Sequence, residues 1–314
     1  MQLEFSIRNP IPNTINIFLL FRDRDGIQDS EDNCPHVANA AQLDNDSDKQ
    51  GDSCDRDDDN DFVIDIHDNC PLISNRYQKL SAAHGRGEEC KHDFDGDEVK
   101  DKNDACPRDA TMTAVDFGKH VIFRPDGEPT QAFWRVQGQG REVRKQQNNN
   151  SILIGNKAFE SVEFNSTIYV DSDAGQGTIG VVFGFQSAKV FYIVMWKKAS
   201  PNNGLVMKEV KSTTGPSQDL YNALQNAQSV SRQANILWED PKNLGWDHRT
   251  AYKFVLTLNS ARKNIRVNVY KGSDNIISSP ELYAGMYRGG RLGMVSFNQG
   301  DVLWTALDVK CLHL

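Results

Sequence analysis

From about residue 108 onward, apolar and polar residues alternate in short runs. In IRVNVY (265–270), Ile265, Val267 and Val269 alternate with Arg266, Asn268 and Tyr270. That is the two-residue period of a strand with one face in a core. YKFVLTLN (252–259) alternates in the same way. Such runs recur with Gly or Asn turns between them, which predicts a β-sandwich. VFYIVMWK (190–197) differs: Val190, Tyr192, Val194 and Trp196 alternate with Phe191, Ile193 and Met195, so both faces are apolar. It reads as a strand buried on both sides. One helix is predicted over 217–227, with Ser217 as N-cap and Leu220 and Leu224 on one face.

The segment before residue 108 has no such pattern. Residues 23–107 hold 24 acids and 9 bases, a net of −15, whereas residues 108–314 hold 18 acids and 24 bases, a net of +6. Nearly every large aromatic lies in the second segment. The 314 residues thus divide into an ill-defined segment 1–20, an acidic, core-poor segment 21–107 and a core-rich segment 108–314. Residues 1–20 read as a poor signal peptide or the ragged start of a fragment, because the apolar run 15–21 is short and lacks a small-residue cleavage site. No run is long enough to span a membrane.

The acids of the first segment fall in register. Asp44, Asp46, Asp48, Asp52 and Asp55 occupy positions 1, 3, 5, 9 and 12 of a loop. Asp57, Asp59, Asp61, Asp65 and Asp68 repeat the spacing, as do Asp93, Asp95, Asp97, Asp101 and Asp104. Asp23, Asp25, Asp29 and Asp32 fit a frame whose first position is Phe21, and a fifth frame starts at Leu80. The starts are separated alternately by 23 and 13 residues, so the true period is 36. A fixed internal period marks a stacked or linear array, not a disordered acidic tail. Calcium takes six to eight oxygens at about 2.3–2.6 Å, and a tight loop aims alternate side chains inward. Several Ca2+ ions are therefore the expected cofactor, standing in for the missing apolar core.

The frames are unequal. The frame at 80 has Leu80, Ala82 and His84 where acids belong, then Glu88 and Lys91, and is expected to bind calcium weakly or not at all. The frame at 57 has Phe62 where a turn with positive φ favours Gly. Six cysteines (Cys34, Cys54, Cys70, Cys90, Cys106 and Cys311) suggest disulfides and an oxidising compartment. By number alone they allow 15 pairings. Three sequons begin at Asn45, Asn149 and Asn165. Asn149 and Asn165 are the candidate glycosylation sites, since a glycan at Asn45 would sit awkwardly inside a calcium loop.

DRDGIQDSEDNCP (23–35), NAAQLDNDSDKQGDSCDRDDDND (39–61), DNCPLISNRYQ (68–78) and HDFDGDEVKDKNDACP (92–107) resemble thrombospondin type 3 repeats. FGFQSAKVFYIVMWKK (183–198), STTGPSQDLYNAL (212–224), LWEDPKNLGWDHRTAY (237–252), IRVNVYKG (265–272) and GGRLGMVSFNQ (289–299) resemble the thrombospondin C-terminal domain. The family is shared by thrombospondins and cartilage oligomeric matrix protein. The resemblance implies a mostly β protein: an irregular, calcium-bound, disulfide-stapled repeat array followed by a lectin-like β-sandwich, a jelly roll. It also implies cysteine pairing in sequence order: Cys34–Cys54, Cys70–Cys90 and Cys106–Cys311.

The expected function is that of a secreted calcium-binding protein of the extracellular matrix that mediates cell adhesion. Its partners would be cell-surface receptors, matrix proteins and glycosaminoglycans, not nucleic acid. The family oligomerises through an upstream coiled coil that this sequence lacks, so oligomeric state is not legible. Some members carry Arg-Gly-Asp in the last calcium repeat; here the triplet is Arg86-Gly87-Glu88, whose extra methylene displaces the carboxylate. The alternative is a calcium-dependent carbohydrate-binding lectin. For that reading the candidates are Asp171 and Asp173 for a sandwich calcium, with Arg141, Arg144, Lys145, Arg262, Lys263 and Arg266 for sulfated glycans. An enzyme is not expected. Glu160 and Glu163 would lie on opposite faces of one strand, and no G-x-S-x-G or phosphate loop is present.

Overall fold

The computed structural model describes residues 22–81, 85–129, 132–172, 177–198, 204–226 and 232–312. The segment 1–20, Phe21, Ala82, His84 and Asp173 lie outside the described residues.

The strands begin after the acidic segment: β1 (His120–Phe123), β2 (Trp134–Gln137), β3 (Glu142–Lys145), β4 (Ser151–Phe159), β5 (Val162–Val170), β6 (Thr178–Ser187), β7 (Val190–Lys197) and β8 (Gly204–Lys211). The helix α1 (Gln218–Gln225) follows. Then come β9 (Ala234–Glu239), β10 (Ala251–Asn259), β11 (Asn264–Lys271), β12 (Asp274–Ser278), β13 (Leu282–Tyr283), β14 (Gly290–Phe297) and β15 (Val302–Cys311). All paired strands are antiparallel. One sheet has the order β1-β4-β14-β6-β7-β8-β9; the other runs β12-β11-β10-β5-β15-β3-β2, with β13 paired to β11.

The two sheets pack face to face. Trp196 of β7 meets Tyr252 and Phe254 of β10 edge-on, with ring centroids 4.7 and 5.6 Å apart. Trp304 of β15 donates its indole N–H to the Gly180 carbonyl of β6 at 3.2 Å. The alternation in β11 buries Ile265, Val267 and Val269 in this core and leaves Arg266 outside. The result is the antiparallel β-sandwich that the alternating pattern predicts.

The outer face of the first sheet has a second, smaller core. Ile152, Ile154, Val182, Phe191, Ile193, Met195 and Val295 pack there with Leu220 and Leu224 of α1. This explains the strand with two apolar faces. In β7, Tyr192, Val194 and Trp196 face the inter-sheet core, while Phe191, Ile193 and Met195 face the core under the helix. Ser217 caps α1, accepting the Leu220 N–H at 3.3 Å. At the other end, the buried Lys208 ammonium donates to the carbonyls of Ala223, Leu224 and Asn226, at 2.8, 2.8 and 2.6 Å. A cation on the last carbonyls of a helix both satisfies them and opposes the helix dipole.

Leu224→Ala is expected to lower the unfolding free energy by about 2–5 kcal/mol, since it empties a fully buried site between α1 and the sheet. The denaturant midpoint should fall with the slope unchanged.

Candidate metal-binding array

Residues 22–114 form almost no regular secondary structure; turns and bends follow one another along the sandwich. Local hydrogen bonds made by the aspartates themselves fix each loop. At position 5, one carboxylate oxygen accepts the N–H of position 7: Ile27 to Asp25 at 2.8 Å, and Gln50 to Asp48, Val63 to Asp61 and Val99 to Asp97 at 2.7 Å. At position 9, Asp29, Asp52, Asp65 and Asp101 each accept the N–H of position 2, at 2.9, 2.8, 3.0 and 2.9 Å. Asp23, Asp59 and Asp95 accept the N–H of position 5, and Asp32, Asp68 and Asp104 that of the cysteine two residues on, each leaving its second oxygen to spare.

That second oxygen defines the site. Asp23 Oδ2, Asp32 Oδ2, Asp44 Oδ1, Asp59 Oδ2, Asp68 Oδ2, Asp95 Oδ2, Asp97 Oδ2 and Asp104 Oδ2 are buried with no hydrogen-bond partner. A buried carboxylate oxygen left bare is costly. Four groups of aspartates each bring three carboxylate oxygens within 4.8 Å of one another: Asp23, Asp25 and Asp32; Asp44, Asp46 and Asp48; Asp57, Asp59 and Asp61; Asp93, Asp95 and Asp97. A cation with oxygens at about 2.3–2.6 Å spans that separation, and an all-oxygen donor set suits a hard ion such as Ca2+. The residues therefore fit the metal. Position 12 belongs to a group only in the first frame, through Asp32; Asp55, Asp68 and Asp104, like the position-9 aspartates, stand outside the four groups.

Burial, above all, pushes the carboxyls upward: Asp23 to about 6, and Asp59 and Asp95 to about 7, each with neighbouring aspartates adding to the effect. Asp58 is pushed to about 8 by burial, then by Asp65, Asp52 and other acids nearby.

Position 6 has positive φ in every frame: Gly26 99°, Lys49 83°, Phe62 75°, Gly85 67° and Glu98 73°. Lys49, Phe62 and Glu98 therefore hold a conformation that costs an L-residue about 1–2 kcal/mol. The frame at 80 departs from the others. Leu80 forms an isolated bridge with Gly87, and a Glu88–Lys91 ion pair joins positions 9 and 12. No cluster of three acids is found there among the described residues.

The disulfides are Cys34–Cys54, Cys70–Cys90 and Cys106–Cys311. The first two repeat at the 36-residue period together with an amide network that the aspartate register does not reveal. Asp32 Oδ1 accepts from Gln42 Nε2 at 2.8 Å, and Asp68 Oδ1 from Gln78 Nε2 at 2.8 Å. Asn39 Nδ2 donates to Asn33 Oδ1 and Asn75 Nδ2 to Asn69 Oδ1, both at 2.7 Å. The Asn39 and Asn75 N–H groups close on Asp25 Oδ2 and Asp61 Oδ2, at 3.0 and 2.9 Å. The signal was present in the sequence: Asn33, Asn39 and Gln42 return 36 residues later as Asn69, Asn75 and Gln78. Gly51 and Gly87 belong to the same device, because a Cβ there would lie 2.4 Å from Asn33 Oδ1 or 2.2 Å from the Cys70 sulfur.

Other candidates are tied down. Arg86 is paired with Asp101 at 2.8 Å and lies 5.0 Å from the Phe94 ring centre. Lys145 is fully buried and donates to the carbonyls of Asn149 and Ser296, which removes it from any glycan surface; Arg144 is only half-buried. Asn45 Nδ2 donates to the carbonyls of Asp58 and Leu72, at 3.2 and 2.9 Å. Asn165 lies on the outward face of β5, and Asp171 forms an exposed pair with Arg249 at 3.7 Å. Between array and sandwich is a cavity of about 380 Å³ lined in part by Asp52, Asp58, Arg108, Asp109 and Glu160.

Fold and site together define a class: a disulfide-stapled, oxygen-rich repeat array joined to an antiparallel β-sandwich. The family models agree. Thrombospondin type 3 repeats match residues 22–42, 43–78 and 81–114, and the thrombospondin C-terminal region matches 129–313. The chain belongs to the thrombospondin family. It is 39% identical over 218 residues to thrombospondin-3a of Danio rerio, covering 64% of this chain and 23% of that protein. It is 39% identical over 219 residues to cartilage oligomeric matrix protein of Bos taurus, covering 65% and 29% respectively. The chain thus matches about a quarter of the length of these relatives. Among solved structures, a legume lectin-like domain from Entamoeba histolytica aligns with a TM-score of 0.41 at 9% identity, over 62% of this chain and 91% of that one.

With calcium chelated, the raised carboxyls make a signed prediction. An acid whose pKa is higher in the fold than in the unfolded chain stabilises the fold when protonated. That contribution is full below about pH 4 and is lost as the pH rises to about 8. The chelated array should therefore lose protease resistance between about pH 5 and about pH 8. Calcium should bind more tightly at the higher pH and release protons, which calorimetry in two buffers of different ionisation heat would measure.

Proposed function

We propose that this chain is a calcium-structured matrix and adhesion protein that acts outside the cell. Residues 21–107 would be the ion-binding array and residues 108–314 the sandwich that presents surfaces to partners. The observation that carries the reading is the row of buried, unpartnered aspartate oxygens in a repeated register. Calcium bridges carboxylates that otherwise repel, and so acts through folding linkage, without catalysis. The nineteen aspartates of the register would supply the ligands, with position 9 acting through water where its near oxygen is already committed. Millimolar calcium outside cells substantially fills even sites of about 0.1–1 mM affinity.

The partners fit the same setting. Cell-surface receptors and matrix proteins would dock on the sandwich, and sulfated glycosaminoglycans on Arg141, Arg262 and Arg266, which are exposed. Two disulfides inside the array agree with secretion. Asn149 and Asn165 are the sequons open to glycosylation.

Calcium titration of the secreted, oxidised chain tests the reading by calorimetry, circular dichroism and limited proteolysis. Cooperative uptake of several ions at about 0.01–1 mM, with new protease resistance, is expected. Flat heat and unchanged digestion would end the calcium reading.

A further inference from the structure

The first repeat meets the sandwich across a cleft of about 340 Å³. Ile27, Ala40 and Ala41 line it on the array side, and Asn156, Lys157 and Arg291 on the sandwich side. Arg291 is half-buried, with its guanidinium 5.0 Å from the Phe185 ring centre. That guanidinium has five N–H donors, yet it makes no hydrogen bond or ion pair among the described residues. Burial pushes its pKa down, and no acid opposes the shift. Lys157 Nζ commits one of its three donors to Thr111 Oγ1 at 2.8 Å. β14 shifts register immediately after Arg291 against both β4 and β6. Irregularities of this kind re-aim side chains and recur beside binding sites.

The cleft is coupled to the array through Asp25. Its Oδ1 accepts the Ile27 N–H at 2.8 Å and its Oδ2 the Asn39 N–H at 3.0 Å. One carboxylate of the first acidic group thus holds both array segments that line the cleft. The other acid of the lining, Asp109, accepts from the Thr111 N–H and hydroxyl, at 3.0 and 2.6 Å. With a cation on Asp23, Asp25 and Asp32, the lining keeps two positive side chains, Arg291 and Lys157, against one negative one, which favours an anion.

We propose that this cleft binds a uronate residue of an acidic glycan, with Arg291 taking the carboxylate, and that it does so only when calcium holds the first repeat in place. The planar guanidinium fork matches a carboxylate. The exposed Asn156 amide and the remaining Lys157 donors line the same cleft and suit ring hydroxyls, while Ile27 and Ala158 give the ring an apolar wall. A peptide acid fits less well. β4, β14 and β6 are paired with one another here, so this wall offers no free strand edge to a peptide backbone. The site deepens the glycosaminoglycan part of the proposed function and rests on the calcium reading of the array.

Hyaluronan hexasaccharide, whose only charges are uronate carboxylates, is the probe, and calorimetry of the full secreted, oxidised chain in millimolar calcium reads its binding. Binding is expected, and chelation of calcium should abolish it. Arg291→Gln should weaken it at least about tenfold with calcium uptake unchanged. Asn156→Ala removes only an exposed amide and gives a second reading, about two- to tenfold weaker. The methyl-esterified sugar should not bind, and a hexaglutamate peptide should bind more weakly than the sugar. The inference is overturned by a wild-type chain that does not bind, by binding that survives chelation or Arg291→Gln, or by equal binding of the ester or the peptide. Calcium uptake measured without sugar reports separately on the array: uptake with no sugar binding overturns this inference and leaves the calcium reading standing.

Discussion

A carboxylate has two oxygens, and the array depends on dividing them. At Asp23, Asp32, Asp59, Asp68, Asp95 and Asp104 one oxygen accepts a nearby backbone N–H and sets the turn, and the other remains buried and bare. The first contact is local, so the loop can form from its own residues. The second oxygen finds no hydrogen-bond donor among the described residues. Aspartate suits both tasks. Its short side chain reaches its own backbone two residues on, as in an Asx-turn. A cation shared among three or more such oxygens replaces the apolar core that a segment so poor in large side chains cannot build.

The polar network and disulfides make the loops into a repeat. Gln42 donates to both Asp32 and Asn39, and Gln78 does the same for Asp68 and Asn75. Orientation of ligands by hydrogen bonds behind them is a general feature of metal sites. Each of the first two disulfides joins cysteines 20 residues apart, so each staples part of one 36-residue unit. The third spans 205 residues and fastens the end of the array to the last strand. Beside it, the Cys311 N–H donates to the Ala105 carbonyl at 2.8 Å. The two halves are thereby joined by covalent bond, backbone pairing and packing at one point.

The sandwich is a support with unequal faces. Its first sheet is covered by α1 and a second apolar layer, which is why β7 has no polar side. Buried cations complete it where apolar residues could not. Lys208 closes the end of the helix, and Lys145 gathers the carbonyls of Asn149 and Ser296. Both ammonium groups are pushed down by burial, Lys145 to about 7 and Lys208 to about 8, yet each has carbonyl acceptors around it.

Much of this was legible in the sequence. The period of two in β10 and β11 marked the sandwich strands, and the aspartate register marked the four acidic groups, because both patterns are set by local geometry. Ser217, Leu220 and Leu224 marked α1 for the same reason. The helix lies where VFYIVMWK needs a cover, but that pairing joins residues distant in the chain, and no local pattern encodes it. The burial of Lys145 was likewise hidden: its alternation with Arg144 is visible, whereas the carbonyls that receive it arrive from Ser296 and beyond. The exposure of Phe62 and Tyr77 was also decided in three dimensions. Their counterparts in the first repeat, Gly26 and Ala41, line the cleft beside the sandwich, and only the path of the array over that surface determines which positions are left open. The sequence by itself determined which residues can turn a loop, share a cation or alternate across a strand. The tertiary structure decided which of them are covered, because burial depends on segments far apart in sequence meeting in space.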